Sequence, residues 1–260
     1  MLLLCLSASL GWGLIAHAFG FLHGNFSNDA LFIFYATVGE DISKVHLGRF
    51  LVPVYRILTR GAVTLPWLIG IIALIYIGIS AYLTAKMFQV KSKIAIAVIC
   101  GVMSTTITVT ALTAAVLFEF DVDMLALLLA VGSAYLWYTD ISNPQKIVWG
   151  GLLLAASMGL YQSYMAVTLS LMIFSSIAAL LDGDSSKRVI QKGITGVVVL
   201  AAGGAVYYVV RKMALSMLPI NLTLTIYSII PLIFAAKILL ICLKKHLKYK
   251  ICHRSLTMVL

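Results

Sequence analysis

The chain has 260 residues, 62% of them hydrophobic and 11% charged, with a net charge of +10. Soluble domains are about half apolar and about a quarter charged, so a water-soluble globule is excluded. Apolar and polar residues do not alternate over ~10-residue segments, which excludes an outer-membrane barrel. The bases fall in short loops and a C-terminal tail between apolar runs, the pattern of a helical membrane protein and not of a nucleic-acid partner.

In chain order, the first apolar segment is "MLLLCLSASLGWGLIAHAFGFL". It carries an A-x-A at Ala16 to Ala18, as a signal peptide would, but no basic start, and it stays apolar to Leu22. A retained helix is expected. Further spans are expected at 64–85, 94–117, 124–139, 147–158, 165–181, 193–210 and 222–243, about eight in all with 1–22. The stretch 147–181 has thirty-five residues without a charge, long for one span of ~20 residues and tight for two. Gly159, Gln162 and Ser163 in "SMGLYQSYM" offer a break. With two spans here and a cytoplasmic N-terminus, twelve Lys and Arg lie inside and six outside. With one span the tally reverses, so the positive-inside rule selects the pair. The loop 23–63, the acidic turn "FEFDVD" and "GLYQS" at 159–163 then share the outer face. The fold class is all-α: one polytopic membrane domain over 1–260 with a large first outer loop, 23–63.

That loop has forty-one residues and is rich in Phe, Leu, Ile, Val and Tyr, too long for a connector and too apolar for disorder. In its second half, Leu47, Leu51, Val54 and Leu58 form one stripe at helical spacing. Arg49, Arg56 and Arg60 share another face. This predicts a helix over 43–60, started or kinked by Pro53, lying at headgroup level. Its bases either meet headgroups non-specifically or bind a particular phosphate.

Among the acids, Asp29 follows the first span. It suits a general base taking a proton from a hydroxyl and equally a helix N-cap in "SNDALFIF". Glu40 and Asp41 are open to the same two roles. Glu119, Asp121 and Asp123 in "FEFDVD" are expected to form a solvated turn on the outer face, able to bind a polyol or a cation. Gln162, flanked by Tyr161 and Tyr164, either bonds a neighbouring helix or lines a sugar pocket. His17, His23 and His46 are scattered and Cys5, Cys100, Cys242 and Cys252 avoid the outer loops. No metal site, no disulfide and no cofactor are expected. P-loop, dinucleotide and nucleophile-elbow motifs are absent from the sequence, so a membrane-carried donor is more natural than a soluble nucleotide sugar.

The order "ND" ending at Asp29, "LGRF" at 47–50, "FEFDVD" and "GLYQ" at 159–162 resembles the GtrII-type family of bacterial membrane glucosyltransferases, over about residues 25 to 180. The resemblance implies a GT-C-like enzyme of the bacterial cytoplasmic membrane. Such an enzyme moves a sugar, glucose by this family, from a polyprenyl-phosphate carrier to a surface glycan such as O-antigen or a cell-wall polymer, on the outer side. Its partners would be that lipid-linked donor, the polysaccharide acceptor and the bilayer, with no nucleic acid. First-loop acids are the family's expected catalytic residues, which implicates Asp29 first, then Glu40 and Asp41. Arg49 would face the carrier phosphate, aided by Lys44 or Arg56, with Asp121, Asp123, Tyr161 and Gln162 toward sugar or acceptor. Family members are expected to have further spans, so this chain is expected to be a shortened member. The rival classes are a transporter or flippase of lipid-linked sugars, which needs a charged path through the spans, and a non-catalytic membrane scaffold.

Overall fold

A computed structural model describes residues 1–23, 37–60 and 65–217, with residues 37–41 described by their backbone alone. Met1–Leu215 form one compact unit, and of the second, Ser216–Leu260, only the first two residues are described. The described residues are all helical or irregular, with no strand among them. α1 (Leu2–His23) leads to α2 (Thr37–His46) and α3 (Leu51–Thr59). α4 (Pro66–Met87), α5 (Lys93–Thr105), α6 (Ile107–Ala115) and α7 (Phe120–Tyr138) follow. Then come α8 (Gly151–Leu160), α9 (Met165–Leu181) and α10 (Ser186–Ser216).

Five stretches among these are long and apolar enough to cross a membrane: Leu2–His23, Pro66–Met87, Lys93–Ala115, Gln162–Leu181 and Ser186–Ser216. Their outward faces carry exposed Leu3, Ile15, Phe19, Ile194 and Val197, which would aggregate in water and match acyl chains in a bilayer. The chain is thus a polytopic helical membrane protein. α7 and α8 coincide with two more of the expected spans, but α7 opens on acids and α8 is short; the expected span 222–243 lies outside the described residues. The expected span 94–117 is interrupted at Thr106, whose extended backbone ends α5 and whose hydroxyl accepts from the Val109 N–H to start α6.

α4 and α7 form the centre. Ile69, Ala73, Leu74 and Ile77 of α4 pack on Phe21 of α1 and on Phe120 and Met124 of α7. α1 approaches α4 closely because Gly13 has no side chain: a Cβ there would lie 2.7 Å or less from both methyls of Leu74. α8 and α9 are tied to α7 by hydroxyls bonded to its carbonyls. Ser157 donates to Ala126 (2.7 Å) and Thr168 to Ala130 (3.0 Å). Lipid tails supply no hydrophobic drive between helices, so small residues and interhelical hydrogen bonds do this work.

The charge-free stretch 147–181 is broken where Gly159 to Ser163 predicts. α8 ends at Leu160, Tyr161 is extended, and a short 3-10 turn, Gln162–Tyr164, opens α9. The single helix expected over 43–60 is corrected. Gly48 adopts φ +84°, open to glycine at little cost, and splits it into α2 and α3. Arg49 therefore sits in the intervening turn. α3 exposes Val54, Ile57 and Leu58 and buries Val52 and Tyr55 against the bundle. Arg60, expected among headgroups, is buried at the C-terminal cap of α3.

Candidate active site

The acidic turn is not solvated, contrary to the expectation from its composition. Glu119, Asp121 and Asp123 are 4%, 0% and 4% exposed. Phe118 and Phe120, alternating with the acids, are buried in the α1–α4 core and pull the turn inward. Carboxylates tolerate this only with partners, and the partners come from α2, α3 and the turn between them.

Two pairings result. Arg60 grips Asp121 through Nε to Oδ2 (3.2 Å) and Nη2 to Oδ1 (3.3 Å), and also donates to the Phe118 carbonyl. The Tyr55 hydroxyl donates to Asp121 Oδ2 (3.1 Å) and the Val122 N–H to Oδ1 (3.0 Å). Burial and the Asp121 charge hold the Tyr55 pKa well above its ordinary value, so the phenol stays a donor. Asp121 is therefore fully enclosed with both oxygens engaged. In this arrangement Asp121 acts as a clamp that holds α3 on α7.

Glu119 makes the second pairing, with Lys44 Nζ on Oε1 and Arg49 Nη1 at 3.5 Å from Oε2. The Arg49 guanidinium also lies 4.1 Å from the Tyr161 ring centroid, and Tyr161 stands edge-on to Tyr164 at 5.7 Å. Asp123 faces the same group. Among the described residues its side chain has no ion pair or hydrogen bond. It sits just ahead of the apolar run beginning at Met124, and burial, then the Glu119 charge, push its carboxyl up to about 7 against the pull of Arg49 and Lys44.

The α2–α3 turn is clasped from the other side. Gln162 Nε2 donates to the Leu47 carbonyl (2.6 Å) and to the Tyr207 hydroxyl (3.0 Å). Tyr207 stacks near Phe50, centroids 5.9 Å apart. A Cβ on Gly48 would lie 2.3 Å from the Tyr207 hydroxyl and 3.1 Å from Arg211 Nε. Gln162 thus bonds two neighbouring segments, the α2–α3 turn and α10.

Of the sequence candidates, Lys44, Arg49, Asp123 and Tyr161 are brought together around Glu119. Asp121 is held apart by Arg60, and Arg56 lies half-buried one turn before Arg60 on α3. Glu40 and Asp41 lie on α2, about a turn before Lys44, and Asp29 is outside the described residues. Sequence reasoning missed Glu119 as the shared anion, Arg60 as a buried partner, and Tyr207 and Arg211. The last two had a signal: polar groups at i, i+4 on one face of an otherwise apolar helix. No cluster of three or more metal-ligating residues occurs among the described residues.

No curated protein and no solved structure matches the chain. The family described as Glucosyl transferase GtrII matches residues 18–251, a range that contains both halves of the charged cluster, from Lys44 to Tyr164. The chain belongs to the GtrII glucosyl transferase family.

Proposed function

We propose that the protein transfers a glucosyl group from a polyprenyl-phosphate carrier to a surface glycan, O-antigen or a cell-wall polymer, on the outer side of the bacterial cytoplasmic membrane. The observation that carries this is the convergence of Lys44, Arg49, Glu119 and Asp123 at one end of an apolar bundle. A cationic pair beside a carboxylate that has no partner among the described residues suits a displacement at the anomeric carbon. An acceptor hydroxyl oxygen bonds to that carbon, and the bond to the carrier phosphate oxygen breaks. The hydroxyl proton passes to a carboxylate and the electron pair leaves with the phosphate. Arg49 and Lys44 stabilise the departing phosphate once they exchange Glu119 for it. Tyr161 offers a ring face to the sugar. The leaving phosphate needs no acid catalyst.

The family resemblance assigns the base to Asp29, with Glu40 and Asp41 as companions. A second assignment, Asp123, is favoured by its lack of a partner among the described residues and its carboxyl pushed up to about 7. Transfer from a polyprenyl-phosphate sugar in membranes, with expression matched, separates them. The Asn variant of the true base loses ~10²–10⁴-fold in rate; Asn at the other position costs far less. Arg49→Lys, lacking the planar fork, raises the donor KM more than it lowers kcat. Full activity in Asp29→Asn, Glu40→Gln, Asp41→Asn and Asp123→Asn alike refutes the catalytic assignment of this site.

A further inference from the structure

α7 carries the acidic turn at its start and Trp137 and Tyr138 at its end, about 28 Å away for its length at 1.5 Å per residue. At that far end lies a cavity of about 460 Å³, lined by Trp137, Asn143, Lys146, Arg188, Gln191 and Lys192 among others. Its charged lining is wholly basic. Lys146 is 7% exposed, and among the described residues its ammonium has no ion pair or hydrogen bond. It opens a π-helical turn, Lys146–Gly150, an irregularity common at functional sites. Burial and the Lys192 charge hold the Lys146 pKa below the ordinary lysine range, and Asp140, exposed to solvent, only partly offsets them. Lys192 lies 5.8 Å from the Tyr138 ring centroid, and its carbonyl accepts from Trp137 Nε1 at 2.9 Å, which fixes α10 against α7. Arg188, exposed at the cavity's edge, is paired with Asp184 at 3.5 Å, which leaves Lys146 as the cavity's buried cation.

A buried ammonium that has no ion pair among the described residues and is repelled by a neighbouring lysine is costly, and an anion entering the cavity relieves both the desolvation of Lys146 and its repulsion by half-buried Lys192. We propose that the Lys146–Arg188–Lys192 cavity binds a phosphate group, presented by an anionic phospholipid headgroup or as free phosphate. Basic pockets between membrane helices take lipid phosphates in this way. The indole and phenol rings of Trp137 and Tyr138 suit the membrane–water boundary. The Asn143 and Gln191 amides, also at the cavity, can donate to phosphate oxygens, and Lys146 supplies the buried charge. The site is separate from the glucosyl-transfer cluster and does not depend on that assignment.

The test is native mass spectrometry of the full chain in detergent, titrated with phosphatidylglycerol or phosphatidylcholine, with millimolar inorganic phosphate as competitor. Phosphatidylglycerol is expected to be retained over phosphatidylcholine. Lys146→Gln and Lys192→Gln are each expected to weaken its binding about fivefold, the scale of one basic contact to an anionic lipid. Lys93→Gln, the same charge change on an exposed residue outside the cavity, should leave binding unchanged. Should Lys146→Gln not fold, Arg188→Gln at an exposed position takes its place beside Lys192→Gln. Displacement of the lipid by inorganic phosphate identifies free phosphate as a ligand of the same site; retention identifies the headgroup. Equal binding of the two lipids, or equal phosphatidylglycerol binding in wild type and all cavity variants with no effect of inorganic phosphate, overturns the proposal.

Discussion

Asp121 and Arg60 are the most enclosed charges of the cluster at the start of α7, with side chains 0% and 2% exposed. Neither role was legible in the sequence, because spacing put Arg60 on a polar face with Arg49 and Arg56 and said nothing of depth. Removing one partner leaves a buried charge uncompensated, so Asp121→Asn or Arg60→Gln should cost ~3–5 kcal/mol. Thermal unfolding in detergent checks this, and Asp121→Leu with Arg60→Met should recover much of the loss. Asp123 belongs to the opposite case, a buried carboxyl with no partner among the described residues. If Asp123 is the base, its raised pKa sets the sign: protonated below about 7 it cannot accept a proton. The transfer rate should then rise with pH through about 7, and Asp123→Asn should remove that dependence. An unchanged pH profile in Asp123→Asn assigns the base elsewhere.

The decisive element is the turn between α2 and α3. The apolar stripe Leu47, Leu51, Val54 and Leu58 was readable as a helix face, and α3 does expose Val54 and Leu58. The periodicity hid the break, since Gly48 fits a helical pattern as well as it ends one. What selects the break is the contact of Gln162 and Tyr207 with the turn, made by residues more than a hundred positions away. Gly48→Ala should therefore be doubly unfavourable. The left-handed backbone costs ~1–2 kcal/mol for an L side chain, and the Cβ meets the Tyr207 hydroxyl. The expected outcome is displacement of Arg49 from Glu119 and Tyr161, seen as a large loss of transfer with the bundle still inserted. Full activity in Gly48→Ala would show that the turn does not position Arg49.

Across the whole molecule, the two ends of the bundle carry different charge arrangements. The acidic turn and its bases gather at the start of α7, and the basic cavity at its end. The basic tally from the sequence places Lys44, Arg49, Arg60, Arg211 and Lys212 on one side and Lys146, Arg188 and Lys192 on the other. Gly48 meets Arg211, while Trp137 meets Lys192, so the described contacts group these bases in the same two sets. Reporter fusions after Lys44 and after Asp184 should report opposite sides of the membrane; the same side for both would overturn this topology.

The sequence by itself determined that the chain is a helical membrane protein, where its apolar runs lie, that 147–181 breaks near Gly159, and which motifs resemble the family. These follow from composition, length and local backbone preference, each set by residues close together in the chain. Only the tertiary structure decided that the acids of "FEFDVD" are buried, that Glu119 is shared by Lys44 and Arg49, and that Arg60 clamps Asp121. The physical reason is that burial and ion pairing depend on which distant segment covers a turn. α2, α3 and the turn between them lie against the start of α7 because Lys44, Arg49 and Arg60 and the buried acids neutralise each other, and no periodicity within either segment encodes that match.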